Sequence, residues 1–165
     1  MLQNLFQKKA KTTIEEIYSP LSGEIIPLAE VPDQVFAQKM LGDGAAIIPR
    51  EGKLVSPVDG EVIQVFPTKH AIGIKSTKGL EILLHIGLDT VELKGEGFEE
   101  LVKEGQMIQK GDALLNFDIE FLESKNKEII SPIIITNTLE KLKGIEQISA
   151  GEVLAQEPLL KCSIK

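Results

Sequence analysis

The stretch Ser56-Pro-Val-Asp-Gly-Glu-Val-Ile63 repeats, 37 positions later, an earlier stretch of almost the same sequence, Ser19-Pro-Leu-Ser-Gly-Glu-Ile-Ile26. In both copies a Ser-Pro turn and a glycine precede a short apolar run, which is typical of a tight turn that opens a β-strand. Ser131-Pro-Ile-Ile-Ile135 is a fainter third copy. A repeated turn-and-strand unit predicts duplicated β motifs that close into a barrel or sandwich, because closure protects the edges of the sheets.

Short apolar runs broken by glycine and proline continue through the rest of the chain. The 14 glycines and 8 prolines fall too close together for long helices. Runs rich in Ile, Val, Leu and Phe predict strands at 24–28, 45–48, 60–66, 70–75, 80–86, 113–117 and 129–136. Helical spacing predicts two short helices, one between Asp33 and Gly42 and one at 98–103. We therefore predict an all-β fold, a compact antiparallel β-sandwich or barrel with a few short helical turns.

Composition excludes several classes of protein. With 165 residues, of which 42% are apolar and 26% charged, the chain can form one domain with a full core and is not a disordered polypeptide. A net charge of −7 with no tryptophan and one tyrosine excludes the basic, aromatic surface of a nucleic-acid-binding protein. The single cysteine, Cys162, permits neither an internal disulfide nor a thiolate zinc site, which fits a reducing compartment.

The N-terminal region differs from the rest of the chain. Residues 1–17 are predicted to be a flexible tail, followed by one domain at 18–165. Leu2, Leu5 and Phe6 lie beside lysines in this tail, so it could make weak peripheral contact with an anionic membrane surface. No apolar run is long enough for a signal peptide or a membrane span, and we expect a cytoplasmic monomer.

The chain contains only two histidines, His70 and His85, and they flank a predicted hairpin turn at 76–79. If those four residues form the loop, His70 pairs directly with His85, and their Cβ atoms lie about 4.5–5.5 Å apart. Thr68 then points to the same face as His70. A three-residue loop with Gly79 in the left-handed conformation would shift the pairing by one and send the rings to opposite faces. Turn chemistry alone leaves both registers open.

Two facing imidazoles can support several kinds of chemistry. One ring can act as a nucleophile while the other donates a hydrogen bond to the group that is received. They can also hold a metal, although two ligands leave a zinc site half built. The structural alternative is a pair of polar side chains on a partly exposed strand. The chain has no phosphate-binding loop of the Gly-x-x-x-x-Gly-Lys-Ser/Thr type, so a nucleotide site is not expected.

A block of sequence around the second histidine resembles a known family signature. The stretch Gly79-Leu-Glu-Ile-Leu-Leu-His85-Ile-Gly-Leu-Asp-Thr-Val91 is similar at every position to the signature of the glucose-type IIA component of the bacterial phosphotransferase system. Other blocks typical of this family occur in the right order, namely Pro32-Asp-Gln-Val-Phe-Ala-Gln-Lys-Met40, Gly42-Asp-Gly44, Thr68-Lys-His70 and Glu92-Leu-Lys-Gly-Glu-Gly-Phe98. The resemblance extends from about residue 18 to the C-terminus.

The resemblance implies a fold and an activity. The fold would be a β-sandwich of the duplicated hybrid motif type. The protein would accept a phosphoryl group from the phosphocarrier protein HPr on His85 Nε2 and donate it to the IIB domain of a glucose-type sugar permease. His70 would be the family's second active-site histidine, needed for onward transfer, and Thr68 the threonine that orients its ring. No nucleotide, metal or other cofactor is required for that exchange.

The resemblance also implies a surface for partner proteins. Asp33 and Asp89 align with carboxylates that flank the family's site. The candidate apolar residues of a docking patch are Val35, Phe36, Met40, Leu41, Phe66 and Leu83. An apolar patch rimmed by acids would suit a basic partner, although the spacing in 35–41 equally suits a buried helix face. Family members also signal sugar supply by binding other proteins, and some hold zinc between the histidines matching His70 and His85 and a partner's carboxylate.

Two other classes share parts of this sequence texture. The segment Glu104-Gly-Gln-Met-Ile-Gln-Lys-Gly-Asp-Ala-Leu-Leu115 looks like the strand-turn segment of biotinyl and lipoyl carrier domains, which are small β-sandwiches. However, the Thr-Lys-His setting of Lys69 is not that of a modified lysine. A zinc peptidase on a related β scaffold would need a third ligand and a His-x-His pair, which this chain lacks. Phosphoryl transfer therefore stays the primary prediction.

Overall fold

Short extended elements dominate residues 13–165, which are the residues that the computed structural model describes. The strands are β1 (Thr13–Tyr18), β2 (Gly23–Ile26), β3 (Asp43–Pro49), β4 (Lys53–Val55), β5 (Gly60–Val65), β6 (Ala71–Ser76), β7 (Glu81–His85), β8 (Phe98–Glu100), β9 (Met107–Ile108), β10 (Ala113–Phe117), β11 (Ser131–Ile135), β12 (Leu142–Gln147), β13 (Glu152–Val153) and β14 (Pro158–Ile164). The α-helices are α1 (Gln34–Ala37), α2 (Ile119–Ser124) and α3 (Thr138–Lys141), and 3₁₀ turns occupy Leu28–Glu30 and Thr90–Leu93.

The strands form three antiparallel sheets. An eight-stranded sheet has the order β13-β2-β3-β11-β7-β6-β5-β9, and two three-stranded sheets have the orders β1-β14-β12 and β4-β10-β8. Successive side chains of β3 enter different clusters, with Ala45 and Ile47 in the main core and Ala46 in a smaller cluster beside α1. Apolar side chains therefore pack on both faces of the large sheet at β3. The predicted antiparallel β-sandwich is confirmed.

The order of the strands displays the duplication that the sequence repeat predicts. The large sheet has the same arrangement from either edge, β13-β2-β3-β11 from one side and β9-β5-β6-β7 from the other. The equivalent strands β2 and β5 begin at Gly23 and Gly60, which are 37 residues apart. The two three-stranded sheets correspond in the same way. A pseudo-two-fold axis therefore runs between β11 and β7.

The two Ser-Pro copies also contact each other reciprocally. The N–H of Tyr18 donates to the carbonyl of Pro57 (3.1 Å), and the N–H of Val55 donates to the carbonyl of Pro20 (3.0 Å). The two donors, Tyr18 and Val55, are 37 residues apart in the sequence, and so are the two acceptors, Pro20 and Pro57. The repeat is thus a contact between equivalent turns as well as a pattern in the sequence.

The serine hydroxyls distinguish the true copies from the fainter one. Ser19 and Ser56 are fully buried, and each donates to the carbonyl oxygen two residues further along the chain at 2.6 Å. The hydroxyl of Ser131 instead donates back to the carbonyl of Ile129 (2.9 Å). The predicted third copy therefore does not form the same turn.

The prediction of a flexible tail is wrong for the residues that the structure describes. Residues 13–17 belong to β1, which pairs along its length with β14. Ile17 is fully buried in the main core, and the inward-facing Glu15 accepts a hydrogen bond from Ser76 (2.7 Å). A carboxylate at an inward position breaks the alternation that marks a strand, which explains the error. The predicted tail at 1–12 and its membrane contact lie outside the described residues.

The two predicted helices have different outcomes. The first begins after Asp33 as predicted, but α1 ends at Ala37. The helix predicted at 98–103 is wrong, because β8 occupies its start and pairs with β10. Phe98 and Val102 are both buried in the main core, so their spacing reflects the packing of an extended segment against the sandwich.

The burial of β1 generates a stability prediction. Replacing the fully buried Ile17 with alanine removes apolar contacts from the main core and should lower the free energy of unfolding by about 2–4 kcal/mol. The exposed Thr13 lies on the same strand, and Thr13→Ala should change that free energy by no more than about 0.5 kcal/mol. Urea unfolding of the two variants makes the comparison. If Ile17→Ala were as stable as the wild type, β1 would not be part of the folded core.

Candidate active site

The two histidines meet at one end of the large sheet. His85 is the last residue of β7, and His70 directly precedes β6. The centroids of their rings lie 4.9 Å apart, with an angle of 81° between the ring planes. His70 is buried and His85 is half-buried. The predicted contact between the two imidazoles is confirmed.

The four-residue loop, which would pair His70 directly with His85, does not form. In the structure Ala71, and not His70, pairs with His85. The N–H of Ser76 donates to the carbonyl of Leu80 (2.8 Å), and Gly79 adopts a φ of +97°, so the hairpin has the alternative three-residue loop. The pairing is therefore shifted by one residue relative to the four-residue turn.

The rings nevertheless meet because His70 lies in a turn rather than in the strand. The N–H of Lys69 donates to the carbonyl of Phe66 (2.7 Å), and Lys69 adopts a left-handed φ of 60°. Beyond the turn, the N–H of Ile86 donates to the carbonyl of His70 (2.8 Å). The alternation of faces along a strand does not apply to a residue in such a turn, which is why the expected separation of the rings does not occur.

A backbone carbonyl fixes the protonation of His85. Its Nδ1 lies 2.8 Å from the carbonyl oxygen of Gly87. A carbonyl can only accept a hydrogen bond, so Nδ1 carries the proton of the neutral ring and Nε2 keeps its lone pair. Burial lowers the pKa of His85, while the Gly87 bond and the charges of Asp33 and Asp89 act in the opposite direction. Both predicted carboxylates thus act electrostatically on this ring.

A hydroxyl orients the second ring. Thr68 Oγ1 lies 2.8 Å from His70 Nδ1, as the sequence prediction requires. A hydroxyl can donate or accept, so this contact holds the ring without by itself choosing a tautomer. Burial lowers the pKa of His70 to about 4, and the neighbouring His85 contributes to the shift. His70 is therefore neutral near pH 7.

Two phenylalanines flank the histidine pair. The ring of Phe36, on α1, lies 5.0 Å from that of His85, and the ring of Phe66 lies 5.5 Å from that of His70. Leu83 packs against the small cluster that contains Phe36. These three apolar predictions therefore fall beside the site.

The other predicted apolar residues are distributed differently. Phe36 is only 5% exposed, so it forms part of the core beneath the surface. Val35, Met40 and Leu41 are exposed by 40%, 67% and 41% respectively. Met40 and Leu41 line a cavity of about 330 Å³ with residues 136–140 rather than with the histidines. The single patch that we predicted is therefore divided between two places.

The sequence prediction missed the role of the backbone after His85. Gly87 has a φ of +72°, and its carbonyl turns back to the ring two residues earlier. The only signal for this was a glycine within the block around His85. A side-chain pattern cannot reveal which backbone carbonyl will orient an imidazole.

Residues 13–165 contain neither a metal-binding cluster of side chains nor a helix that could span a membrane. Within that range, no group of three or more His, Cys, Asp or Glu side chains is arranged to hold a metal ion. None of the helices within the same limits is long and apolar enough to cross a membrane. His70 and His85 alone leave a zinc coordination sphere incomplete.

The buried, neutral His70 predicts a loss of stability in acid. Its pKa is about 4 in the folded chain against 6.5 in its ordinary state, so the unfolded chain takes up the proton first as the pH falls. Above about pH 6.5 the neutral His70 ring makes its full contribution to the free energy of unfolding. That contribution, roughly 3 kcal/mol, is lost as the pH falls from there to about 4. Urea unfolding at both ends of this window should show a smaller acid-induced loss in His70→Gln. If His70→Gln and the wild type lost the same free energy of unfolding in acid, His70 would not be the group responsible.

Comparisons with known proteins identify the family of this chain. Residues 15–141 match the family model described as phosphoenolpyruvate-dependent sugar phosphotransferase system, EIIA 1. The chain is 55% identical over 138 residues to a glucose-specific EIIA component of the PTS system from Bacillus cereus, covering 84% of each protein. A protein of the same description from Halalkalibacterium halodurans is 48% identical over 167 residues, covering 97% of this chain and 96% of the relative.

A solved structure extends the similarity to three dimensions. Glucose permease IIA from Mycoplasma capricolum matches this fold with a TM-score of 0.82 and 43% sequence identity, covering 90% of this chain and 96% of that one. The sequence matches and the structural match therefore agree. The chain belongs to the EIIA 1 family of the phosphoenolpyruvate-dependent sugar phosphotransferase system.

Proposed function

We propose that this phosphotransferase component accepts a phosphoryl group from phospho-HPr on Nε2 of His85 and donates it to the IIB domain of a sugar permease. The observation that carries the proposal is the hydrogen bond between His85 Nδ1 and the Gly87 carbonyl, because it leaves the lone pair of Nε2 free. The names of the relatives favour a glucose-type permease as the one to which that IIB domain belongs.

The proposed exchange conserves electrons and protons. The Nε2 lone pair of His85 forms the new P–N bond, and the electron pair of the broken P–N bond stays on the nitrogen of the HPr histidine. The proton on His85 Nδ1 remains there and continues to donate to the Gly87 carbonyl. Burial favours the neutral, nucleophilic ring because it lowers the pKa of His85. The chemistry needs neither a nucleotide nor a metal.

His70 is proposed to stabilise the transferring group. If the Thr68 hydroxyl donates to His70 Nδ1, the ring carries its proton on Nε2 and can donate a hydrogen bond to a phosphoryl oxygen. The lowered pKa keeps this ring neutral near pH 7. A neutral donor stabilises developing charge without forming the ion pair that would hold the phosphoryl group in place. The family resemblance assigns this ring to onward transfer, and we propose that role for His70.

The surroundings of the pair suit transient protein partners. Asp33 and Asp89 place negative charge near His85, which would repel a bound phosphoryl group and favour its departure. Val35, whose N–H donates to Asp33 Oδ1, is exposed, and Phe66 is half-buried. An apolar surface bordered by carboxylates fits a basic face such as one that HPr or a IIB domain would present. The two rings could also give a zinc ion two ligands in a regulatory complex, if the partner supplied the others.

Phosphorylation by phosphoenolpyruvate, enzyme I and HPr tests the roles of the two histidines. Wild type should gain one acid-labile phosphate by intact mass, and His85→Ala should gain none because the nucleophile is absent. His70→Ala should still be phosphorylated but should fail to donate to IIB. A phosphate that persists in His85→Ala, or normal donation by His70→Ala, would refute the corresponding role.

The Thr68 hydroxyl can be tested by a pair of substitutions of similar size. Thr68→Val removes the hydrogen bond to His70 Nδ1, and transfer to IIB should slow about fivefold, the equivalent of about 1 kcal/mol. Thr68→Ser retains the hydroxyl and should transfer at nearly the wild-type rate. Quenched-flow measurement of phosphoryl loss to IIB gives both rates. Equal rates in the two variants would show that the hydroxyl has no part in transfer.

A further inference from the structure

The peptide group between Ile86 and Gly87 is held on both sides by buried hydroxyls. Its carbonyl oxygen accepts a hydrogen bond from Thr90 Oγ1 (2.5 Å), and its N–H donates to Ser131 Oγ (3.2 Å). Thr90 is fully buried and Ser131 is 1% exposed. One hydroxyl lies four residues along the same turn, whereas the other comes from β11, 44 residues away.

The next peptide group, between Gly87 and Leu88, is also held on both sides. Its carbonyl oxygen accepts from His85 Nδ1, and its N–H donates to the carbonyl of Glu128 (3.0 Å). Both amide planes next to Gly87 are therefore fixed by the segment that leads into β11 and by the turn itself. The orientation of the carbonyl that selects the tautomer of His85 depends on these bonds.

Ser131 is committed to the role of acceptor. Its single hydroxyl proton goes to the carbonyl of Ile129 (2.9 Å), so its oxygen offers lone pairs to the N–H of Gly87. Gly87 is buried, and loss of this acceptor would leave its N–H without a partner away from water.

The turn has little room to adjust. A Cβ on Gly87 would lie 2.7 Å from Thr90 Cγ2 and 2.8 Å from the Glu128 carbonyl oxygen. The left-handed φ of +72° at Gly87 adds a conformational restriction. The direction of the Gly87 carbonyl is therefore set jointly by this crowding and by the hydrogen bonds to the two amide planes, and a substitution that removes one of those bonds would loosen the plane that it holds.

We propose that Ser131 is a positioning residue for the reactive histidine: its hydroxyl holds the Gly87 amide and so keeps the adjacent carbonyl aligned with His85 Nδ1. The inference deepens the proposed function, on which its kinetic consequence rests. Ser131 begins the third Ser-Pro sequence, which does not form the turn of the other two. The Ser131 hydroxyl instead accepts the hydrogen bond of the Gly87 N–H, in the turn that follows His85.

The repeat supplies a matched control for this proposal. Ser56 is also buried, also precedes a proline and also donates its hydroxyl proton to a backbone carbonyl. Its backbone bonds join it to Gly111 and Asp112, not to the turn after His85. Ser56→Ala therefore removes a comparable buried hydroxyl without touching the Gly87 amide.

The decisive readout is the tautomer of His85 in the unphosphorylated protein. Long-range ¹H–¹⁵N correlation spectra near pH 7.5 should show His85 protonated on Nδ1 in the wild type, Ser131→Thr and Ser56→Ala. Ser131→Ala should show a mixture of the two tautomers. Its rate of phosphorylation by phospho-HPr should fall about fivefold, the equivalent of about 1 kcal/mol. Ser131→Thr should restore the rate because it restores the hydroxyl.

The outcomes separate this proposal from the proposed function. A folded Ser131→Ala protein that keeps the wild-type tautomer would overturn the positioning role, whatever the phosphorylation result. A changed tautomer in a protein whose wild type takes no phosphate on His85 would support the positioning role and overturn the proposed function instead. If Ser131→Ala does not fold, Ser131→Cys replaces the oxygen acceptor with a weaker sulfur acceptor, and its spectrum carries the same test.

Discussion

The hydrogen bond from His85 Nδ1 to the Gly87 carbonyl is the constraint on which the rest of the site depends. It places the ring proton on one nitrogen and the lone pair on the other. Burial keeps the ring neutral by lowering its pKa, and the carboxylates of Asp33 and Asp89 limit that effect. The proposed chemistry depends on which of its two tautomers His85 adopts, and a backbone carbonyl determines that tautomer.

The scaffold supports this tautomer because β6 and β7 each have one end beside the two histidines. β7 stops at His85, so the residues after it are free to turn back toward the ring. β6 starts one residue after His70, and the left-handed Lys69 lets the preceding turn bring that ring alongside. Both strands lie inside a sheet that is covered on each face. The turns are therefore short and are anchored on rigid elements, as a site that must align two reacting groups requires.

The sequence predicted the sandwich because its repeat encodes turns and strands locally. It predicted the meeting of the histidines from a four-residue hairpin loop, and the rings meet although the loop has three residues. It could not decide the register, which depended on whether Gly79 closed a three- or a four-residue loop. It also missed β1, because the inward Glu15 finds its partner in Ser76, 61 residues away. Ser131 escaped notice for the same reason, since its role depends on a long-range contact with Gly87. The hairpin register and the helix predicted at 98–103 are errors of local structure, whereas β1 and the role of Ser131 were missed because their contacts are long-range.

The pseudo-two-fold arrangement shows which residues in one half of the scaffold correspond to the two histidines in the other half. Gly23 pairs with Pro49 and Gly60 with Ser76, so position 43 in one half corresponds to position 70 in the other. The same correspondence relates Ile134 to His85, because Ala45 pairs with Ile133 and Ile72 with Leu84. An aspartate and a fully buried isoleucine thus occupy the places of the two histidines. The two histidines of the proposed phosphoryl transfer thus lie in one half of the scaffold, and the other half contributes groups that surround and hold them, Asp33, Phe36 and Ser131.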